Sequence, residues 1–210
     1  MSDKVYVWDR IVRVFHWTLV ALFATSYLTG ENEHWLHVYS GYGIVLLVVV
    51  RVVWGLIGSQ HARFRDFVFS PANIWQYTKS VIAKHPKRYL GHNPLGGLMV
   101  VTMLVALSLT TLSGMKLYAV EEGKGPFAVI DSVNVVTAAQ ADSPYENRNA
   151  LYKENIHKED EELWEELHEF GVNLMIALII LHIAGVVLSS RLHHESLIKA
   201  MLTGYKQKGE

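Results

Sequence analysis

HEFGVNLMIALIILHIAGVVLSS, from His168 to Ser190, is the segment that decides the fold. After Glu169 it contains no Asp, Glu, Lys or Arg until Arg191, and this uncharged run is long enough to cross a bilayer as a helix. At about 100° and 1.5 Å per residue, the spacing brings His182 to within about 40° of His168, roughly 21 Å further along the axis. The two imidazoles share one helix face at two depths, which predicts two stacked ligand positions with room for two haems.

The composition also points to a membrane protein. Half of the 210 residues are hydrophobic and the mean hydropathy is +0.18, which is too apolar for an ordinary soluble domain. The chain has no cysteine, so structural disulfides, thiolate-bound iron–sulfur clusters and covalently attached c-type haem are excluded. The basic N-terminus precedes an apolar run that no small-residue cleavage site closes. We therefore expect a retained first helix and not a signal peptide.

Other apolar segments are also long enough to span a bilayer, and together they predict an all-α integral membrane four-helix bundle that forms a single domain over residues 1–210. The four spans cover residues 11–30, 35–57, 94–115 and 168–190. The third span has no histidine in its apolar body, so we expect it to contribute packing more than ligation. Ser70-Pro71 is a typical pair for the start of a helix and predicts a short helix at the membrane interface. The C-terminal tail has a second amphipathic pattern.

The connection between the third and fourth spans, residues 116–167, is long and acidic. Its twelve acidic residues are Glu121, Glu122, Asp131, Asp142, Glu146, Glu154, Glu159, Asp160, Glu161, Glu162, Glu165 and Glu166. Its five basic residues are Lys116, Lys124, Arg148, Lys153 and Lys158. The other fourteen of the nineteen Lys and Arg lie in segments that four spans put on one side, which the positive-inside rule makes cytoplasmic. We therefore expect a bacterial inner-membrane protein with both termini in the cytoplasm and a periplasmic acidic connection.

This topology pairs four histidines by depth. His16 and His182 lie near the cytoplasmic ends of the first and fourth spans, whereas His37 and His168 lie near the opposite face on the second and fourth. A haem iron held by two imidazoles has no open position, which suits electron transfer more than chemistry at the metal. The two pairs would form a path for electrons across the membrane. A hydrogen bond between helices is the simpler role for any one of these histidines alone.

Three more residues near the inner pair, His16 and His182, are candidates for contact with the cofactor or with quinone. Arg13 and Trp17 lie next to His16, although membrane anchoring is their simpler role. Arg51 lies inside the second span, where it either snorkels to the interface or faces an internal anion such as a haem propionate. The remaining histidines fall in loops, turns or helix ends, where a solvated or interfacial imidazole is the usual explanation. They are His34, His61, His85, His92, His157, His193 and His194.

Several short motifs accompany these histidines. They are RVFHW at 13–17, LTG at 28–30, HVYSGY at 37–42, RVVWG at 51–55 and GHNPLGG at 91–97. With the His168 to His182 spacing, they show that the chain resembles the bacterial cytochrome b561 and nickel-iron hydrogenase b-subunit family of membrane dihaem cytochromes, over nearly its whole length. The resemblance implies two b haems, held by one histidine from the first span, one from the second and two from the fourth. These positions match His16, His37, His168 and His182.

The resemblance further implies electron exchange between the membrane quinone pool and a periplasmic partner, either a c-type cytochrome or a hydrogenase-like subunit. One branch of the family oxidises superoxide and passes the electron to quinone, but an acidic connection would repel that anion. The acidic connection is either a docking surface for a basic partner or a solvated helix. A haem-free transporter of protons or a metal would need acidic residues within the apolar spans, and the sequence offers none. The net charge of −1 gives no reason to expect nucleic acid, and a homodimer stays open.

Overall fold

A computed structural model describes residues 4–30, 35–128 and 146–208, with the side chains of residues 146–157 left out. The main elements are β1 (Lys4–Tyr6), α1 (Arg10–Thr29), α2 (Trp35–Ile57), a 3-10 turn (Phe64–Asp66), α3 (Pro71–Ile82), α4 (Pro94–Glu122), α5 (Glu146–Leu192), α6 (Leu197–Thr203) and β2 (Tyr205–Gln207). The all-α prediction is confirmed, and the pair of three-residue strands is an addition to it.

Within the part of the chain that the structure describes, four helices are long and apolar enough to cross a membrane. They are Arg10–Thr29, Trp35–Ile57, Pro94–Glu122 and Lys158–Leu192. Large apolar side chains stay exposed along them, including Leu28 at 77%, Leu46 at 64% and Ile183 at 56%. Exposure of apolar surface along whole helices is unfavourable in water, whereas the hydrocarbon of a bilayer solvates such surface. The fold is therefore an all-α membrane bundle.

The helix ends differ from the predicted spans at two places. The prediction ended the third span at residue 115, but α4 continues to Glu122. The helix of the fourth span begins before His168, because α5 runs without a break from Glu146 through the acidic residues into the apolar segment. Hydropathy detects only the apolar part of a helix, and Glu and Lys propagate it well where water solvates them. The predicted 31–34 turn and residues 129–145 of the acidic connection lie outside the described residues.

The chain divides into two compact units. The first unit comprises Met1–Val105 and Met175–Glu210, and the second comprises Ala106–Leu174. Both α4 and α5 contribute residues to each unit. His16, His37 and His182 belong to the first unit, and His168 belongs to the second.

In the first unit, the two ends of the described chain pack together. The buried residues of this core are Val7, Trp8, Val12, Ala62 and Ala200. Strand β1 pairs antiparallel with β2, and the Val7 and Trp8 amides donate to the carbonyl of Gly204 at 2.8 and 3.1 Å. These strands could not be predicted from the sequence, because three residues are too few to show a periodicity and the paired strands are far apart in the chain.

Residues 58–93 are more than a surface loop. Helix α3 starts as predicted, with the Ser70 hydroxyl accepting from the Asn73 amide at 3.4 Å. Before it, Phe67 is almost fully buried at 1% exposure, and its carbonyl lies against Gly97 at the start of α4. Phe64 packs on Gly55 of α2. The segment therefore holds aromatic rings beside the ends of two spans.

Candidate functional site

The predicted inner pair of histidines comes together in the first unit. His16 on α1 and His182 on α5 have ring centres 6.4 Å apart, with their planes inclined at 46°. A metal bound by one nitrogen of each of two imidazoles, at about 2.0 Å from each, leaves the ring centres about 6 Å apart. His16 Nδ1 is buried and has no hydrogen-bond partner among the described residues. The spacing of the two rings fits an iron between them.

Arg13 and Trp17 lie beside this pair, as the sequence predicts. The Trp17 ring meets the His16 ring edge to face, with centres 5.0 Å apart. Arg13 donates from Nη1 to the carbonyl of Leu202, whereas its Nε is buried without a partner among the described residues. Both side chains line an open hollow of about 440 Å³ that also includes Met201 of α6. An apolar ring with polar substituents could reach the neighbourhood of His16 through this hollow.

In the first unit, His37 is held by α1. Its Nδ1 lies 2.9 Å from the carbonyl oxygen of Ser26 and 3.3 Å from the Ser26 hydroxyl. A carbonyl oxygen can only accept, so Nδ1 carries the hydrogen and donates it, which leaves the lone pair on Nε2. Metal-ligating histidines are oriented in this way, by a hydrogen bond from the nitrogen that does not bind the metal.

In the second unit, His168 is held in the same way by α4. Its Nδ1 lies 2.9 Å from the carbonyl oxygen of Thr110 and 3.4 Å from the Ser113 hydroxyl. The same tautomer follows, with the lone pair on Nε2. The expectation that the third span mainly packs is therefore incomplete, because this helix also orients a candidate ligand.

One five-residue pattern underlies both arrangements, and sequence reasoning overlooked it. Residues 26–30 read SYLTG and residues 110–114 read TTLSG, so each has a hydroxyl residue, any residue, Leu, a second hydroxyl residue and Gly. The first carbonyl of each accepts from a histidine, and the glycine faces the same ring. The position of a Cβ on Gly30 is 3.4 Å from His37 Nδ1, and one on Gly114 would be 2.7 Å from His168 Cε1. Ser26, Thr110 and Gly114 thus join the candidate site.

Arg51 does not snorkel to an interface. Its side chain is 4% exposed, and its guanidinium carbon lies 5.2 Å from the ring centre of Phe64 and 5.6 Å from that of Phe67. Its Nη1 is buried with no hydrogen-bond partner among the described residues. The other predicted role, contact with an internal anion, stays a prediction.

His92 corrects a sequence-based expectation, because its imidazole is not solvated. Its Nδ1 is buried without a partner in the described part of the chain, and its ring packs against Trp8 and Phe67 at 4.6 and 4.7 Å between centres. Burial, followed by the positive charges of Arg51 and Lys206, lowers the pKa of His92 to about 3. The side chain is therefore neutral at physiological pH. A lone histidine in a loop has no periodicity that would have revealed this burial.

The donor set suits haem better than a bare metal ion. Within the described ranges, no group of three or more His, Cys, Asp and Glu side chains could hold a metal ion. Structural zinc requires about four ligands from the protein, whereas a six-coordinate haem iron takes only two, because the porphyrin supplies the rest. Pairs of histidines are what the described residues offer.

Comparisons with known proteins agree with this chemistry. The profile of a family described as prokaryotic cytochrome b561 matches residues 7–204. The probable Ni/Fe-hydrogenase B-type cytochrome subunit of Bradyrhizobium diazoefficiens is 24% identical, with 97% of this chain and 86% of the relative covered. Its counterpart in Azotobacter vinelandii is 25% identical, with 98% and 89% covered. The probable Ni/Fe-hydrogenase 1 B-type cytochrome subunit of Escherichia coli K12 is 23% identical, with 98% and 93% covered.

No solved structure matches the chain significantly. The family profile nevertheless spans all four apolar helices and the four candidate histidines. Membership of the family accounts for haem b and for electron transfer. The chain belongs to the prokaryotic cytochrome b561 family and is a multi-pass bacterial membrane cytochrome of the b type.

Proposed function

We propose that this cytochrome holds two b haems, one between His16 and His182 and one between His37 and His168, and carries electrons across the bacterial inner membrane. The 6.4 Å separation of the His16 and His182 rings carries this proposal. The Nδ1 hydrogen bonds of His37 and His168 support it, because both present Nε2 as the ligand atom. Bound haem b supplies a reversible one-electron couple at an iron without an open coordination position.

The surrounding residues orient the ligands and set the local charge. The carbonyls of Ser26 and Thr110 hold the outer histidines in one tautomer. On the inner side, Arg13 and Trp17 are our candidates for contact with the haem or with quinone, because they adjoin His16 and line the hollow. Positive charge near a haem favours the reduced state. Arg13 and Arg51 would therefore also raise the reduction potential of the inner haem.

We further propose that the outer haem exchanges electrons with a basic partner and the inner haem with membrane quinone. Exposed acidic residues precede His168 on α5. They are Glu159, Asp160, Glu161, Glu162, Glu165 and Glu166. Such a surface attracts a basic protein and repels superoxide. The names of the relatives favour a hydrogenase-like subunit over a c-type cytochrome as that partner.

A difference spectrum with haem stoichiometry tests the proposal. Purified protein should show two b haems per chain in the dithionite-reduced minus oxidised spectrum and the pyridine haemochrome assay. Replacing any one of His16, His37, His168 and His182 with alanine should remove about one haem, because each iron loses one of its two protein ligands. His85→Ala is the matched control, since the His85 side chain is exposed and bonds only the nearby Ala83 carbonyl among the described residues. Folded wild type without haem, or full haem in His16→Ala, would refute it.

A further inference from the structure

Two polar side chains in the first unit end in buried nitrogen atoms that nothing in the described chain satisfies. Arg51 Nη1 and His92 Nδ1 both lack a hydrogen-bond partner among those residues. Buried polar groups in proteins are nearly always paired, so an unpaired one in a native fold calls for an explanation such as a bound group. Two of them in one place strengthen the case for a ligand.

The two side chains share one aromatic neighbour. Phe67 packs against both, with its ring centre 5.6 Å from the Arg51 guanidinium carbon and 4.7 Å from the His92 ring centre. Phe64 covers the guanidinium from another direction, and Trp8 covers His92. Arg51 and His92, together with these three aromatic side chains, form a site that we call the Arg51–His92 cradle. Its aromatic walls exclude water from both nitrogens.

The cradle carries a positive charge that the described residues leave largely uncompensated. Asp9 is the carboxylate whose charge acts on Arg51, but no ion pair or hydrogen bond joins the two side chains among the described residues. The Asp9 oxygens are instead engaged by the Val12 amide at 2.8 Å, the Trp54 indole at 3.0 Å and the Ser59 hydroxyl. A buried guanidinium without a hydrogen-bonded counter-ion is costly, so an anion from outside the chain suits this position.

We propose that the Arg51–His92 cradle binds one carboxylate of the inner haem, with Arg51 as the counter-charge and neutral His92 as a second hydrogen-bond donor. This inference rests on the proposed function. Haem b carries two propionate carboxylates on the same ring that the inner pair would hold. Trp8, whose ring packs on His92, lies in one buried core with Val12, which is one helical turn before His16 on α1. Guanidinium is well matched to carboxylate in both geometry and charge. His92 acquires a binding role that its place in a loop did not predict.

Redox titration of the two haems measures the role of the cradle. Arg51→Gln should shift the ratio of reduced to oxidised inner haem about tenfold toward oxidised at a fixed potential, or 59 mV for a one-electron couple. His92→Phe keeps the ring packing, and should shift the inner haem in the same direction by less. The outer haem should keep its potential. The controls Arg65→Gln and His85→Phe change exposed side chains and should move neither haem.

Haem b dimethyl ester distinguishes a carboxylate from any other occupant. Wild-type chain produced without haem should bind haem b at the inner site at least tenfold more tightly than the ester, and both cradle variants should lose most of that preference. Equal binding of acid and ester by wild type, or an undiminished preference in both variants, overturns the inference while the dihaem proposal stands. Potentials that stay unchanged in both variants also overturn it. A folded wild type that binds no haem refutes the proposed function itself.

Discussion

Glu195 is the residue that joins three segments of the first unit. Its carboxylate lies 2.8 Å from the Lys206 ammonium and 3.0 Å from the Arg88 guanidinium, and both Glu195 and Lys206 are nearly buried, with side chains 8% and 4% exposed. Burial alone would raise the pKa of Glu195, but the hydrogen bonds from Lys206 and Arg88 outweigh it and hold the pKa below its ordinary value. The ion pairs therefore tie the connection between α5 and α6 to β2 and to residues 58–93.

This arrangement predicts a pH-dependent contribution to stability. A carboxyl group whose pKa is lower in the folded state stabilises the fold above its unfolded pKa, about 4.3, and the contribution is lost as pH falls through the folded value. Glu195→Gln should lower the free energy of unfolding by about 2–3 kcal/mol at pH 7, because Lys206 loses its buried counter-charge. Thermal denaturation of wild type and variant in detergent, from pH 7 downwards, measures this difference.

The difference between wild type and Glu195→Gln should shrink below about pH 4. Glu122→Gln is the matched control, because the Glu122 to Lys124 ion pair is similar in length at 2.9 Å but both side chains are well exposed. Exposed ion pairs are screened by water and contribute little to stability, so this control should stay close to wild type at every pH. A Glu195→Gln variant equally stable at pH 7, or a difference independent of pH, would contradict the assignment.

At the level of helices, close approach within the second unit depends on glycine. Gly114 of α4 faces the His168 ring, and Gly171 of α5 faces the Thr110 side chain. A Cβ added to Gly171 would be 3.3 Å from the Cα of Thr110. Both glycines therefore adjoin the hydrogen bond between Thr110 and His168. Gly185, on the same helix as Gly171, has nothing within 4 Å of its Cβ position. Helix α5 thus contains one glycine that packing requires and one that it does not.

Gly114→Ala should displace the outer haem. A Cβ would stand 2.7 Å from His168 Cε1 and 2.8 Å from Nδ1, so the ring must move away from the Thr110 carbonyl. We expect about one haem per chain instead of two by the pyridine haemochrome assay, and the absorption of the outer haem should be lost from the reduced minus oxidised spectrum. Gly185→Ala should keep both haems and gain up to about 1 kcal/mol from helix propensity. Two haems in folded Gly114→Ala would show that His168 is not held as described.

The sequence predicted the elements whose signals are local. Uncharged runs of about 20 residues marked the spans, and Ser70-Pro71 marked the start of α3, because both depend on neighbouring residues alone. Hydropathy alone does not indicate where α5 begins, because it falls where the helix leaves the apolar segment. The burial of His92 and the β1–β2 pairing depend on contacts between residues distant in sequence, which hydrophobic periodicity does not indicate. The histidine pairing across helices stays a prediction for the outer pair, whereas His16 and His182 are seen together.

For the whole molecule, charge determines the expected orientation. The segments rich in Lys and Arg lie at the termini and in residues 58–94, and the exposed acidic residues lie on α5 before His168. Positive charge retained in the cytoplasm would put the acidic surface and the outer haem in the periplasm. The side from which the redox partner approaches follows from the same distribution, so a test of orientation also tests the assignment of the partner.

Cysteine labelling can determine this orientation, because the chain contains no cysteine of its own. Gln60 follows α2 and Glu162 lies on the acidic part of α5, and both side chains are exposed. In intact spheroplasts, a membrane-impermeant maleimide should label Glu162→Cys and should label Gln60→Cys only after permeabilisation, because the positive-inside rule places Gln60 in the cytoplasm. Equal labelling of both variants in detergent is the control for reactivity. The reverse pattern would put the acidic surface in the cytoplasm, where a periplasmic partner could not reach it, and labelling of both from outside would contradict the four-span topology.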